Sequence, residues 1–180
     1  MSAGNHATLN GAPRRATSMN GSASRLPALG RRGGGWVAIQ GVLLVAAILT
    51  GLAGAAWPPA ASPWLAAAGV IVLLAGVALL IAGGAGLGPQ LTPFPRPVAG
   101  GELRRSGVYG LVRHPMYGGA LLAMLGWGLL SSPWALVPLA AAAVFLDAKR
   151  RREEAWLVRS LAGYEDYRRQ VRRRFIPFVW

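Results

Sequence analysis

Apolar residues along this chain fall into blocks separated by short polar or proline-rich breaks, and the blocks are long enough to be read one by one. Trp36 to Ala56 is a run of 21 residues without a charge. At 1.5 Å rise per residue such a helix crosses a hydrocarbon core of roughly 30 Å. Trp57-Pro58-Pro59 and Ser62-Pro63-Trp64 then form an uncharged turn with aromatic residues at interfacial positions. A second span is expected from Leu65 to about Ala82, where Gly69, Gly76 and Gly83 recur every seven residues and keep a small-residue stripe on one face. The glycine-dense stretch Gly83 to Gly88 lacks the order, preceding strand and following acid of a dinucleotide loop, and reads as a frayed helix end. Leu91 to Pro97 carries closely spaced prolines and must run extended as a linker near the membrane surface.

The last apolar block, Tyr117 to Leu146, is interrupted by Ser131-Ser132-Pro133. One long span or two short ones would fit its length. Two follow if a helix starts near Pro115, a favoured first-turn residue, and another starts at Pro133 with Ser132 as its cap, continuing past Asp147 to about Glu154. From Glu153 onward Leu157, Leu161, Tyr164, Val171 and Phe175 alternate with arginines at helical spacing, which predicts an interfacial amphipathic helix bent near Gly163.

Charge decides between the topologies. All 19 Lys and Arg residues lie in three places: five in the first 35 residues, four between the second and third spans, and ten after Leu146. The other two connections carry none. The positive-inside rule then requires four crossings with both termini in the cytosol, since three would export the ten C-terminal cations. The fold class expected is all-α: a polytopic membrane protein with four transmembrane helices, the last two a short hairpin, plus the C-terminal interfacial helix. The chain divides into a basic disordered tail over 1–35, two N-terminal spans over 36–87, and a catalytic region over 88–180.

Composition removes several functional classes. With 53% hydrophobic and 14% charged residues the chain is too apolar for an ordinary soluble domain. The net charge of +13 sits beside hydrophobic runs and accompanies no nucleic-acid-binding motif, so the arginines read as topology signals and contacts to anionic lipid. Without cysteine there is no disulfide and no thiolate nucleophile, and of two histidines one, His6, lies in the tail as a solvated bystander. No metal site is expected.

The chemistry-bearing residues cluster between Gly107 and Gly119, reading Gly-Val-Tyr-Gly-Leu-Val-Arg-His-Pro-Met-Tyr-Gly-Gly. A helical hairpin brings Arg113 and His114, before the third helix, beside Glu153 and Glu154 near the end of the fourth, with Tyr164 and Tyr167 beyond. Adjacent carboxylates at a membrane boundary are costly unless paired. One glutamate can pair with Arg150, Arg151 or Arg152; the other is open to a ligand. His114 can equally be a helix cap, Arg113 a snorkelling cation, and Tyr109 and Tyr117 aromatic-belt residues. The residues alone thus lead to a polar pocket facing the cytosol, without naming a reaction.

The set Gly107-x-Tyr109-x-x-Val112-Arg113-His114-Pro115-x-Tyr117-x-Gly119, Glu153-Glu154-x-x-Leu157, Tyr164-x-x-Tyr167 and Arg174-Phe175-x-Pro177 resembles the isoprenylcysteine carboxyl methyltransferases and related phospholipid methyltransferases. The resemblance extends from about Leu91 to Pro177, with Pro93 and Pro95 matching a proline-bearing linker. It implies an integral membrane enzyme using S-adenosylmethionine on a lipid-like or prenylated substrate, by carboxyl O-methylation or amine N-methylation. It also implies that His114, Tyr117 and Glu153 or Glu154 contact the cofactor, and that Tyr109, Gly119 and Leu157 shape its pocket. Arg113 and Glu154 would act on the reacting groups, Arg113 by orienting a carboxylate, and Tyr167 would support the pocket. The expected location is a multi-pass membrane protein, in a bacterium the inner membrane. Sterol-reductase-like enzymes using NADPH are similar in this region, but they carry Asn before the motif tyrosine and Glu two residues after it, where this chain has Met116 and Gly119. An inactive scaffold is the third reading, against which the intact motif set argues.

Overall fold

The computed structural model describes residues 33–94 and 101–177 and is all-helical over them. Helices α1 (Gly34–Ala53), α2 (Ser62–Leu87), α3 (Pro115–Ser131), α4 (Leu136–Ser160) and the short α5 (Tyr164–Gln170) follow one another, with single 3₁₀ turns at Gly88–Gln90, Gly107–Gly110 and Pro133–Ala135. The tail with His6, and the linker residues Pro95, Arg96 and Pro97, lie outside the described residues.

Helix α3 starts at Pro115, and the Ser131-Ser132-Pro133 break separates it from α4. Ser132 is fully buried; its hydroxyl accepts from the Trp134 amide at 3.3 Å and donates to the Ala55 carbonyl at 2.7 Å. The serine therefore caps one helix and ties the turn to the end of α1.

Helices α2 and α3 meet along their glycines. A Cβ added at Gly69 would lie 2.9 Å from the Gly126 carbonyl oxygen, and one at Gly126 would lie 2.5 Å from the Leu73 amide nitrogen. Farther along the same seam Gly76 faces Ala123 at 2.5 Å, and Gly119 faces the Gly76 carbonyl at 2.8 Å. The backbones touch because neither side chain is there, which is how small-residue stripes join helices without a hydrophobic driving force.

Two expectations change here. Gly83 to Leu87 is not frayed: α2 runs through it, since Gly83 packs on Met116 and Pro115 and Gly86 on the Tyr109 ring, contacts that compensate for poor helix propensity. The helical pattern from Glu153 is continuous with α4 rather than a separate helix, and its expected break near Gly163 is present. Helix α4 continues to Ser160, Gly163 takes a left-handed conformation at φ 76° that reverses the chain, and α5 follows for seven residues. Its apolar stripe points into the protein: Tyr164, Tyr167 and Phe175 are 3%, 2% and 0% exposed. Phe175 joins Ala47, Leu121, Met124, Ala142 and Leu146 in the core shared by α1, α3 and α4.

Two helical stretches, Gly34–Ala53 and Ser62–Gln90, are long and apolar enough to cross a membrane, with mean hydropathy 2.1 and 2.8. Their outer faces expose Val42, Leu52, Ile71 and Ile81, and the apolar half of α4 exposes Val137 and Val144. Helix α3 has 17 residues, about 25 Å of helix, and α4 is charged from Asp147 onward.

Candidate functional site

The site is assembled where the chain leading into α3 meets the charged second half of α4. The 3₁₀ turn at Gly107–Gly110 buries Tyr109, whose hydroxyl donates to the Gly83 carbonyl at 3.1 Å and whose carbonyl accepts from the Tyr167 hydroxyl at 2.7 Å. That single residue thus joins α2 to α5. Four residues later the backbone amides of Arg113 and His114 donate to the carbonyls of Arg173 and Arg174 at 3.1 and 2.8 Å, so the C-terminal segment straps across the start of α3. Gly118 makes the strap possible, because a Cβ there would collide with the Phe175 carbonyl.

Glu153 and Glu154, neighbours on α4, have opposite surroundings. Glu154 is 6% exposed in its side chain and is gripped on every side: Arg113 Nε at 2.9 Å, His114 Nε2 at 3.0 Å and Arg150 Nη1 at 3.1 Å. Burial alone would raise its pKa, but the hydrogen bonds and charges of His114 and Arg113 outweigh burial and hold it down to about 2. Glu153 accepts a hydrogen bond from the Tyr117 hydroxyl and lies 3.7 Å from His114 Nδ1. Burial pushes its carboxyl up to about 7, with Tyr117 and Lys149 opposing. Burial also lowers the His114 pKa, the Glu154 contact opposing, and the Nε2–H of the ring donates to the Glu154 carboxylate. The ring stacks on Tyr117 with centroids 5.5 Å apart and planes 9° from parallel.

A cavity of about 650 Å³ opens beside this pair. Its walls include Tyr109, Arg113, His114, Tyr117, Glu153 and Leu157 of the expected residues, and Tyr164 and Tyr167 from α5. Two expected residues are absent from its walls. Gly119 instead lies in the α2–α3 seam against Gly76 and Leu80, where a Cβ would meet Leu80 at 2.8 Å; its role in the fold is close packing, one helical face away from Tyr117. Glu154 is behind the wall in the cation cluster. Arg113 reaches the cavity, but its guanidinium is committed to Glu154 and to the carbonyls of Val171 and Arg172 at 2.6 and 2.9 Å, which is the bonding of a strap anchor.

Several residues here were not singled out by sequence reasoning. The rest of the cavity wall comes from the approach to α3 and the far end of α4, notably Gln90, Phe94, Arg104 and Trp156. Lys149, 1% exposed, donates to Gln40 of α1 at 2.8 Å and to the Pro93 carbonyl at 3.0 Å, and lies 5.2 Å from the Tyr117 ring centroid. Gln40, an amide inside an apolar span, was the available signal for that partner. Among the described residues no group of His, Asp and Glu is arranged to hold a metal ion.

No characterised protein matches the chain at a significant level. A family model does: residues 64–162, more than half of the 180-residue chain, match it from the start of α2 to the turn after α4. That span contains the glycine seam, the motif leading into α3 and both glutamates, and the chain belongs to the phospholipid methyltransferase family.

Proposed function

We propose that this protein is an S-adenosylmethionine-dependent methyltransferase that works from the cytosolic face of the membrane on a lipid-like substrate, with an amine nitrogen as the methyl acceptor. The observation that carries this reading is the Glu153 carboxyl, which lines the cavity beside Tyr117 and is pushed up to about 7 by burial. In the proposed topology α1 to α4 cross the bilayer with both termini in the cytosol, and the charged part of α4 from Asp147 onward emerges on the cytosolic side. The absence of Lys and Arg from the two other connections, and the exposed apolar faces of α1, α2 and α4, support it.

The cavity suits the methyl donor. Its volume lies within the ~300–1,000 Å³ of small-molecule pockets. Trp156, Tyr117 and Leu157 offer apolar and aromatic surface, and Glu153 offers a negative charge to a cationic ligand. Bound there, S-adenosylmethionine supplies a sulfonium methyl for in-line displacement, in which alignment and exclusion of water do most of the work.

The protein's own groups then have separate tasks. A protonated amine cannot attack, so Glu153 accepts the proton that the acceptor nitrogen must lose. Tyr117 fixes one Glu153 oxygen by its hydroxyl hydrogen bond, and His114, locked by Glu154, holds the Tyr117 ring through stacking. Arg113 and Glu154 are positioning residues, since their polar atoms are spent on each other and on the strap. A carboxylate acceptor would need no base and would be repelled by ionised Glu153. Neither the site nor the family match favours the nicotinamide reductase or the inactive scaffold.

Calorimetric titration of the detergent-purified protein with S-adenosylmethionine and, separately, NADPH tests the reading. Heat with the first and none with the second is expected. Heat from NADPH alone contradicts the methyltransferase.

A further inference from the structure

We propose that Arg104 is an oxyanion-binding residue of the cavity, and that the group it takes is a carboxylate or a phosphate. Three observations lead there. Arg104 lines the cavity, and its Nε is buried without a hydrogen-bond partner among the described residues. A buried N–H on a cation is costly when unmet, and the great majority of such groups in folded proteins are satisfied. The backbone that carries Arg104 is pinned on both sides: the Glu102 amide donates to Gln90 Oε1 at 2.9 Å, and Arg105 Nη2 donates to the Gly163 carbonyl at 2.9 Å. Arg105 thereby holds the segment to the α4–α5 corner, and Arg104 lines the cavity on a tethered stretch.

The other cations of the wall are accounted for. Arg113 is spent on Glu154 and two carbonyls, and Arg159 is exposed. The planar guanidinium of Arg104 has the fork geometry that matches carboxylate and phosphate oxygens. A cavity with an acid at Glu153 and an unmet Nε–H on the Arg104 cation is complementary to a ligand bearing both a cation and an oxyanion. This identification of the ligand rests on the methyltransferase reading, which supplies two such molecules: the amino-acid end of the methyl donor, with its carboxylate, and an amine-headed phospholipid, with its phosphate.

Isothermal titration of the full chain in detergent, wild type against Arg104→Gln, separates the sources. The probes are S-adenosylhomocysteine, 5′-methylthioadenosine, which lacks the amino-acid end, and a short-chain phosphatidylethanolamine. Weakening of S-adenosylhomocysteine by roughly ten- to a hundredfold, with methylthioadenosine unchanged, places the donor carboxylate on Arg104. The same loss for the phospholipid, with S-adenosylhomocysteine unchanged, places the lipid phosphate there. Equal affinities of wild type and variant for every probe that binds overturn the assignment. Should wild type bind no adenosyl compound and no lipid, the methyltransferase reading fails, and inorganic phosphate decides the anion site alone. Phosphate that raises the wild-type melting temperature but not that of Arg104→Gln upholds the site, and phosphate acting on both or neither overturns it.

Discussion

Helix α3 takes part in two regions within a few residues of each other, the glycine seam with α2 and the charged mouth with α4, and the two are held by opposite means. In the seam Gly119 and Gly126 bring backbone onto backbone, with nothing polar between the helices. In the mouth His114 and Tyr117 meet two glutamates, two arginines and a lysine, all largely withdrawn from solvent. The seam gains stability from proximity, and any added atom disturbs it. The mouth gains little net stability from buried charges and is instead set in place by them, because each charge is costly once its partner is gone. The proposed methyl transfer, which would bring a cationic donor and a lipid-like amine to Glu153, needs the second arrangement, mounted on the rigidity of the first.

The largest effect is expected from removing the centre of the mouth. Glu154→Ala leaves Arg113, His114 and Arg150 without their common acceptor and should cost about 3–5 kcal/mol, read as a large fall in melting temperature in detergent. A loss below 1 kcal/mol would mean that the cluster does not hold the fold. Glu153→Gln, one residue earlier, should do the reverse: turnover falls about a hundredfold or more while the melting temperature stays near wild type. Similar behaviour of the two variants would erase the distinction between the neighbours. In the seam, Gly126→Val should cost ~1–3 kcal/mol through overpacking and leave the pH profile of the surviving activity unchanged; a shifted profile would show that seam and mouth are not separable.

The remaining effect is the dependence on pH. Glu153 is raised in the folded protein, so the folded state keeps its proton longer than the unfolded chain does. Its stabilising contribution is full below the ordinary carboxylate range and declines as pH rises toward about 7, flattening above it. Glu154, lowered to about 2, contributes fully above the ordinary carboxylate range and loses its contribution as pH falls toward that value. Thermal melts between pH 4 and 8 on wild type and Glu153→Gln check the first slope, which the variant should lack.

The sequence carried much of the seam and less of the mouth. Glycines seven residues apart announce a close helix contact because their spacing follows one helical face, and Pro115 and Ser132-Pro133 mark helix starts by local chemistry. Residue types also named the motif residues that meet around the cavity. Spacing could not say which glutamate looks into it, because Glu153 and Glu154 differ by one step of about 100° around α4 and the answer depends on where Arg113 arrives from. Gly119 sits two residues after Tyr117 and therefore on another face, which a motif read as a line of letters does not reveal. The buried contacts of Tyr164, Tyr167 and Phe175 were hidden for a related reason: an apolar stripe reads the same whether it faces lipid or protein. Arg104 and the Lys149–Gln40 pair depend on tertiary contacts alone.

In the proposed mechanism Glu153 serves a methyl transfer to an amine while Glu154 only holds the site. The direct measurement is transfer of labelled methyl from S-adenosylmethionine to phosphatidylethanolamine in reconstituted vesicles, by wild type and Glu153→Gln, across pH 5.5 to 8.5. Label is expected in the amine lipid, rising with pH through about 7 in wild type, and about a hundredfold less in the variant with no such rise. Undiminished transfer by Glu153→Gln, or label confined to a carboxyl acceptor, would contradict that mechanism.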